Sequence, residues 1–488
     1  MLTSYTADQI RAAEQALMAR LPGGTLMQRA AAGLATACAG LLGSVYGSRV
    51  VLLVGSGDNG GDALYAGARL ARRGAAVEAV PAGSRTHQAG LAAFREAGGR
   101  IGEAAALDRA DLVVDGLVGI GATGALREPY AALAKRANAG PGLVVAVDVP
   151  SGVEASTGRV EGAAVRAHLT VTMGAYKTGL LVDPGAEHAG RVELVDIGLA
   201  PHLPPPDATA LTRDDVRRLL PRPGAESDKY RRGVVGVAAG SDLYTGAAVL
   251  AVGGALRAGA GMVRYAGPPG PAAQVRARWP EAVITELAEP SIAGVGRVQA
   301  WVLGPGLGTG DRARELVGRV LASDVPVLVD ADGLNLVAKE PGLLRRGAPV
   351  LITPHAGELA RLTGAGRDEI EADRLAHARR AAAELGVTVL LKGSTTVVAG
   401  EGVPARVNTT GTPWLATGGT GDVLSGIAGA LLAQGLSCHD AGSCGAYLHG
   451  LAGRGAADGA PLAAADVVAA VPSAIREIAL DHRSELPN

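Results

Sequence analysis

"VVLLVGSGDNGGDALYAGARLARRG", residues 50–74, runs from a short apolar stretch through a glycine-rich turn into an Ala/Leu/Arg segment of helical character. An apolar run of this length bounded by glycine reads as a buried strand, and a strand turning at once into a helix is the repeating unit of a parallel α/β sheet. The spacing of Gly55, Gly57 and Gly60, with Glu78 eighteen residues further on, also matches the dinucleotide-binding fingerprint. The chemistry argues otherwise. Asp58 and Asp62 put carboxylates where a pyrophosphate would settle, and two unit charges about 4 Å apart repel by roughly 4 kcal/mol at an effective dielectric near 20. A hydride-transfer partner is also missing, because Tyr130 and Lys135 miss the YxxxK spacing and Ala134 stands where the lysine should be.

Outward from this turn the alternation of strand and helix continues. Strands are expected at 77–80, 111–115, 143–148 and 169–173, then again at 233–240, 300–304, 325–330, 349–353 and 387–391. Residues 199–212, "LAPHLPPPDATALT", hold four prolines and break the pattern, so they read as a linker. A chain of 488 residues exceeds one typical core, and the expectation is two α/β domains, 1–205 and 206–488. The first twenty residues read as an amphipathic helix, and no run of eighteen apolar residues marks a membrane span.

Composition narrows the function. Lys and Arg total 46 against 47 Asp and Glu, so the basic excess of a nucleic-acid binder is absent, and 3% aromatic residues leave few platforms for stacking bases. Cys38, Cys438 and Cys444 form no CxxC pair and no even framework, which points to a reducing, cytoplasmic setting and a soluble small-molecule enzyme.

Oxygen ligands recur at predicted strand ends: Asp58 and Asn59, Asp115 in "DGLVGIGATG", Asp148 and Ser151 in "DVPSG". Each alone reads as a cap or turn residue. Together they mark a site, since ligands of open α/β sheets collect at the carboxyl ends of strands. Asn59, Asp115 and Ser151 offer hard oxygens to a cation, with no His or Cys nearby to favour zinc. The motifs "GSGDNGGDA", "DGLVGIGATG", "DVPSGV" and "MGAYKTGLL" resemble those of the NAD(P)H-hydrate epimerase family, a Rossmann-like three-layer fold covering roughly residues 1–200. The resemblance implies a potassium ion on Asn59, Asp115 and Ser151. It also implies substrate contacts from Asp58, Asn59, Gly60, Gly61 and Asp62 and from Gly119, Ile120, Gly121, Ala122, Thr123, Gly124 and Ala125, with Asp148 at the reacting ring. Where the family has Asn-Asn this chain has Asp58-Asn59, and Ala63 replaces a glycine.

In the second half, "LATGGTGDVLSG" (415–426) ends a glycine loop on Asp422, although no Walker A sequence occurs. Gly418, Gly419 and Gly421 let backbone N–H groups approach a phosphate, and Asp422 beside it suits a base that accepts a proton from an attacking hydroxyl. A helix starting near Val423 is expected, and the competing role for Asp422 is a cap. With "LGPGLG", "DADGLN", "TPHAGE" and "LLKGSTTVV", the series resembles the ribokinase-like superfamily and, within it, the ADP/ATP-dependent NAD(P)H-hydrate dehydratases. That resemblance implies Asp422 as catalytic base, Ala248, Gly306 and His355 at the substrate, and Lys392, Gly393, Ser394, Thr395, Thr396 and Gly421 at the nucleotide. Without it, His355 reads as a satisfied polar residue and Lys392 as an exposed lysine on a hairpin. Asp330, at a strand end, is a position for magnesium. The whole chain then reads as a coenzyme-repair enzyme acting on NADHX and NADPHX with ADP or ATP, either as monomer or homo-oligomer. The rival is a small-molecule kinase fused to a nucleotide-binding regulatory module.

Overall fold

The apolar run at 50–54 forms the strand Arg49–Val54, in which only Arg49 is exposed. Val50, Leu52 and Val54 point into one hydrophobic cluster with Leu34, Leu64 and Leu112, while Val51 and Leu53 point into another with Leu107, Leu133 and Ala134. Period-two alternation with both faces apolar requires helices on both faces, which is the three-layer arrangement. Burying each such leucine contributes about 2 kcal/mol. Gly67 lets the helix Asp58–Arg72 lie directly on the strand, since a Cβ there would sit 2.4 Å from Leu52 Cδ1.

The computed structural model describes residues 1–83 and 85–480. The chain divides into two units, Thr3–Ala208, and Met1–Leu2 with the chain from Thr209 onward. In the first, the parallel sheet runs Arg100–Ile101, Ala76–Pro81, Arg49–Val54, Leu112–Gly116, Leu143–Val147, Leu169–Met173, Arg191–Val195. Strand order reverses between Arg49–Val54 and Leu112–Gly116, with Leu53 opposite Asp115. The crevice at such a reversal is where open α/β sheets bind ligands.

The second unit orders its strands Val283–Glu286, Met262–Gly267, Val234–Ala238, Ala300–Leu303, Val327–Val329, Val350–Ile352, Thr388–Leu391, all parallel, then Thr396–Ala399 and Ala405–Asn408, antiparallel. Its core is built from close helix contacts. A Cβ on Gly426 would sit 2.1 Å from Ala251 O, and one on Gly254 would sit 2.4 Å from Val423 O, so the helices Thr245–Arg257 and Thr420–Ala433 meet backbone to backbone. The Ala/Gly richness of this half is therefore a packing device.

Two expectations change. The first residues form a strand, Leu2–Tyr5, and the helix begins only at Ala7. A capping box sets that start: Thr6 Oγ1 accepts from Gln9 N, and the Gln9 side chain accepts from Thr6 N at 2.9 Å. The 199–212 segment holds a short helical turn, Ala200–His202, and a strand, Ala208–Ala210.

Candidate active sites

At the reversal point of the N-terminal sheet, Asp115 is fully buried. Its Oδ2 accepts from Ser151 N at 2.8 Å, and its Oδ1 accepts from Ser151 Oγ at 2.7 Å and from Leu117 N at 3.2 Å. Burial pushes its carboxyl up to about 6 against the opposing effect of these bonds. Asn59 does not cap its helix. Its Nδ2 donates to Val118 O at 2.9 Å and to Val147 O at 2.7 Å, tying together the ends of two strands. Ser151 bonds Asp115 directly, and Asn59 joins them through Val118, whose N–H also donates to Ser151 Oγ, so the three expected cation ligands lie together. The 119–125 turn comes against them, because a Cβ on Gly119 would lie 2.8 Å from Asn59 Oδ1. Arg11 holds this turn through Ile120 O at 3.2 Å. Beyond it lies a hollow lined by Ala122, Gly124, Gly152, Arg159 and Glu161.

Asp148 adopts a left-handed backbone, φ 69°, which costs a non-glycine residue roughly 1–3 kcal/mol and persists where surroundings enforce it. Here they do. Asp148 Oδ1 accepts from Met173 N at 2.9 Å, from Thr172 Oγ1 at 3.3 Å, and from the ammonium of Lys177. Lys177 is completely buried and donates also to Met173 O at 2.8 Å. It is placed there by a short parallel pairing of Tyr5 with Lys177. Asp58 lies exposed in the first turn of its helix, and Gly60, Gly61 and Asp62 follow on the inward side. Burial first, then the charges of Asp148, Asp58 and Glu14, push the Asp62 carboxyl well above the usual range. Glu14 is raised by burial and then by Asp148. Sequence reasoning assigned nothing to Lys177 or Glu14. The available signal was that Lys177 lies inside the motif MGAYKTGLL. Glu78, the expected ribose ligand of the fingerprint, instead pairs with Arg109 at 3.0 Å.

In the C-terminal unit the helix starts at Thr420, three residues before the expected point, with Gly419 at its N-cap in a left-handed conformation, φ 90°. Asp422 therefore sits within the first turn, and the helix has no side-chain cap bond. Its carboxyl is not spent on capping. Burial, then the charge of Asp330, raises it to about 7, with Lys392 pulling the other way. Lys392 faces inward and is no exposed hairpin lysine, although it does sit in the turn between antiparallel strands. Its Nζ lies 2.6 Å from Asp330 Oδ1 and 3.8 Å from Glu358 Oε2. Burial disfavours its charge, but Asp330 and Glu358 outweigh that and hold it above the ordinary lysine range. Asp330 Oδ2 accepts from Ser425 Oγ at 2.7 Å, so both its oxygens are engaged, and its visible work is to orient Lys392 beside Asp422.

His355 caps the helix Ala356–Thr363: its Nδ1 accepts from Gly357 N at 3.0 Å, and Glu358 Oε2 accepts from His355 N at 2.8 Å. Burial lowers its pKa, so the neutral ring that can accept is favoured. Ala248 is wholly buried under the Gly240 turn, and Gly306 is left-handed, φ 61°. Behind Lys392, Gly393 is close to Arg374, Thr395 and Thr396 are buried, and Ser394 is exposed. Gly421 comes nearest to Lys392 Nζ, whereas a Cβ on Gly418 would meet nothing within 4 Å. Sequence reasoning missed Glu358 and Ser425. A glutamate three residues after a cap residue was the available signal for the first.

Residues 23–179 match the family described as YjeF-related protein N-terminus, and residues 235–472 match the NAD(P)H-hydrate dehydratase family. The bifunctional NAD(P)H-hydrate repair enzyme of Mycobacterium tuberculosis is 50% identical over 444 residues, covering 90% of each chain. That of Mycobacterium leprae is 48% identical over 465 residues, covering 94% of this chain and 95% of the relative. A ribokinase-like superfamily protein from Enterococcus faecalis superposes with a TM-score of 0.52 at 27% identity, over 56% of this chain and 97% of that one. Among the described residues no helix is long and apolar enough to cross a membrane. A kinase fused to a regulatory module is not favoured, because relatives named bifunctional NAD(P)H-hydrate repair enzymes match along both halves. With its N-terminal α/β unit, its ribokinase-like second half and relatives of this identity across the whole length, the chain belongs to the bifunctional NAD(P)H-hydrate repair enzymes.

Proposed function

We propose that the unit Thr3–Ala208 interconverts the R and S epimers of hydrated NADH and NADPH, and that the unit from Thr209 onward dehydrates the S epimer at the expense of ADP or ATP. In the second unit Asp422 accepts the proton of the ring hydroxyl as that oxygen attacks the nucleotide's terminal phosphorus. Phosphate then leaves in place of hydroxide, a far poorer leaving group, the adjacent ring carbon gives up a proton to water, and the electrons of that carbon–hydrogen bond form the double bond of the reduced ring. The open loop at Gly418, the amide groups opening the helix Thr420–Ala433 and the ammonium of Lys392 face the transferring phosphate. Magnesium bound with the nucleotide would supply positive charge to the transferring phosphate, and Asp422, with no capping bond, would have a carboxylate oxygen for it where both oxygens of Asp330 are engaged. One observation carries the reading: Asp422 lies in the first turn beyond the glycine loop, largely buried and without a capping bond.

In the first unit Asn59, Asp115 and Ser151 would hold potassium, whose charge meets the buried Asp115 and the diphosphate of the substrate. The 58–62 turn and the 119–125 turn flank these residues and take the dinucleotide, and Asp148 reaches the ring. The three cysteines are free and buried, which fits a reducing, cytoplasmic setting. Fusing the two activities keeps a stereospecific dehydratase from stranding the other epimer. The test is purified protein with R-NADHX, alone and with each nucleotide plus magnesium. NADH absorbance should return only with nucleotide, and R-to-S exchange should proceed without it. No recovery of absorbance with either nucleotide would sink the dehydratase reading, and exchange at the uncatalysed rate would sink the epimerase one.

A further inference from the structure

The N-terminal site gathers four carboxylates, Glu14, Asp58, Asp62 and Asp148, about the buried Lys177. A pocket meant only to hold an anionic dinucleotide has no use for that excess of negative charge. It does suit a reaction whose intermediate is cationic. The hydroxyl-bearing carbon of the hydrated ring is bonded to the ring nitrogen, so loss of the hydroxyl leaves a positive iminium that nearby carboxylates stabilise.

Two of these carboxylates have opposite surroundings. One oxygen of Asp148, Oδ1, accepts from Lys177, from Met173 N at 2.9 Å and from Thr172 Oγ1 at 3.3 Å. Asp62 has an oxygen, Oδ1, buried with no hydrogen-bond partner. What surrounds it is acidic: Asp58 from its own helix, Glu14 from the helix Ala7–Met18, and Asp148, with Lys177 the one opposing charge. His87 packs on the neighbouring Gly61, and Arg11 acts on Glu14. One carboxylate engaged by a buried ammonium beside another with an unpartnered buried oxygen is an asymmetry that suits a base and an acid.

Resting on the epimerase reading above, we propose that Asp62 and Asp148 are the acid–base pair of the epimerisation, with Lys177 as the positioning residue that keeps Asp148 the base. Asp62 gives its proton to the ring hydroxyl; the carbon–oxygen bond breaks, its electrons leave with water, and the nitrogen lone pair closes the carbon–nitrogen double bond. Water then adds to the opposite face, the π electrons return to nitrogen, and Asp148 takes the proton that the incoming water loses. One water leaves and one enters, and the proton passes back from Asp148 to Asp62 between turnovers. In the other direction the roles exchange.

The experiment follows R-to-S exchange by the full-length protein in H₂¹⁸O without nucleotide, separating the epimers and weighing them. Each enzymatic inversion should place one ¹⁸O in the ring hydroxyl. The near-isosteric Asp62→Asn should slow exchange by about 10² to 10⁴ and remove the fall in rate at high pH that marks loss of the acid. Lys177→Met should lower kcat for exchange with KM little changed, and Lys177→Arg should restore part of it; circular dichroism checks that both fold, and if Lys177→Met does not, Asp62→Asn decides alone. Exchange without ¹⁸O uptake, which would mean ring opening, or an Asp62→Asn rate near wild type overturns the pair. Failure of the wild-type protein to accelerate exchange overturns the epimerase reading instead.

Discussion

Asp422 offers two measurements that must move in opposite directions if it is a buried catalytic base. Burial and the neighbouring Asp330 charge raise its carboxyl to about 7, well above the ordinary aspartate value near 3.9. The base must be ionised to accept a proton, so kcat/KM for dehydration should fall below pH 7, to about a tenth of its plateau at pH 6 and about a hundredth at pH 5. Asp422→Asn should lower turnover by about 10² to 10⁴ and abolish that dependence. Stability should respond the other way. The folded-state value lies above the unfolded one, so this group's stabilising contribution is complete below about pH 4 and is lost as pH rises through about 7. A shift of about three units corresponds to at most about 4 kcal/mol, so the asparagine variant should unfold at a higher temperature than wild type at pH 8, with the gap closing near pH 4. Dehydration is read from NADH absorbance with ADP or ATP and S-NADHX across pH 5 to 8, and unfolding by calorimetry at both ends. A flat rate profile in the wild type, or an asparagine variant that keeps more than a tenth of the activity, would refute the base. A variant that loses activity and is also destabilised at pH 8 would make Asp422 a structural residue.

The neighbouring glycines separate structure from binding. A Cβ on Gly419 would lie 2.5 Å from Leu250 Cδ1 in a left-handed backbone, so Gly419→Ala should cost about 1–3 kcal/mol in thermal unfolding. Gly418 has no such neighbour, so Gly418→Ala should leave the melting temperature alone and raise the nucleotide KM; an unchanged KM would remove the phosphate from this loop. Potassium chloride should raise the melting temperature of the N-terminal unit relative to lithium chloride at equal ionic strength, and Asp115→Asn should flatten that response; equal effects of the two salts would empty the proposed cation site. His355→Ala should cost about 1 kcal/mol through the lost cap, whereas His355→Asn, which can still cap, should cost less; equal losses would assign the effect to substrate or packing instead.

The strands that the chain announced most clearly are those buried on both faces, such as Arg49–Val54 and Leu112–Gly116, because continuous apolar runs are what a covered parallel sheet demands. Arg191–Val195 escaped notice for the converse reason: it lies at the sheet edge, mixes Arg191 and Glu193 with valine, and has no fully buried residue. The hairpin Thr396–Ala399 and Ala405–Asn408 was hidden by its shortness. Site residues followed the same division. Asn59, Asp115, Asp148, Ser151 and Asp422 stand at strand ends or helix starts marked by glycine, where backbone geometry advertises them. Lys177, Glu14, Glu358 and Ser425 reach their sites from a strand or from helices, where no turn signal accompanies them. Their roles are set by charge neighbours distant in sequence, and no periodicity records those.

Both units place one inward lysine among a surplus of carboxylates: Lys177 with Asp148, Asp62, Asp58 and Glu14, and Lys392 with Asp330, Glu358, Asp422 and Asp332. In each the lysine bonds one aspartate directly, Asp148 in the first and Asp330 in the second, while a second aspartate, Asp62 or Asp422, is left with burial and like charge raising it. The difference lies in what completes the charge balance. On the proposed reading the first unit sets Asp62 beside a ring on which the cation itself forms, so the same group can act as acid in one direction and base in the other. On the proposed reading the second unit needs Asp422 ionised when nucleotide binds, and Lys392, with magnesium, would supply the positive field that favours ionisation. Replacing Lys392 by methionine should therefore move the acidic fall in dehydration to higher pH, and raising magnesium should draw it part of the way back, as read in the absorbance assay. If the profile of that variant stays in place at low magnesium, Lys392 does not govern Asp422, and its pairing with Asp330 serves packing alone.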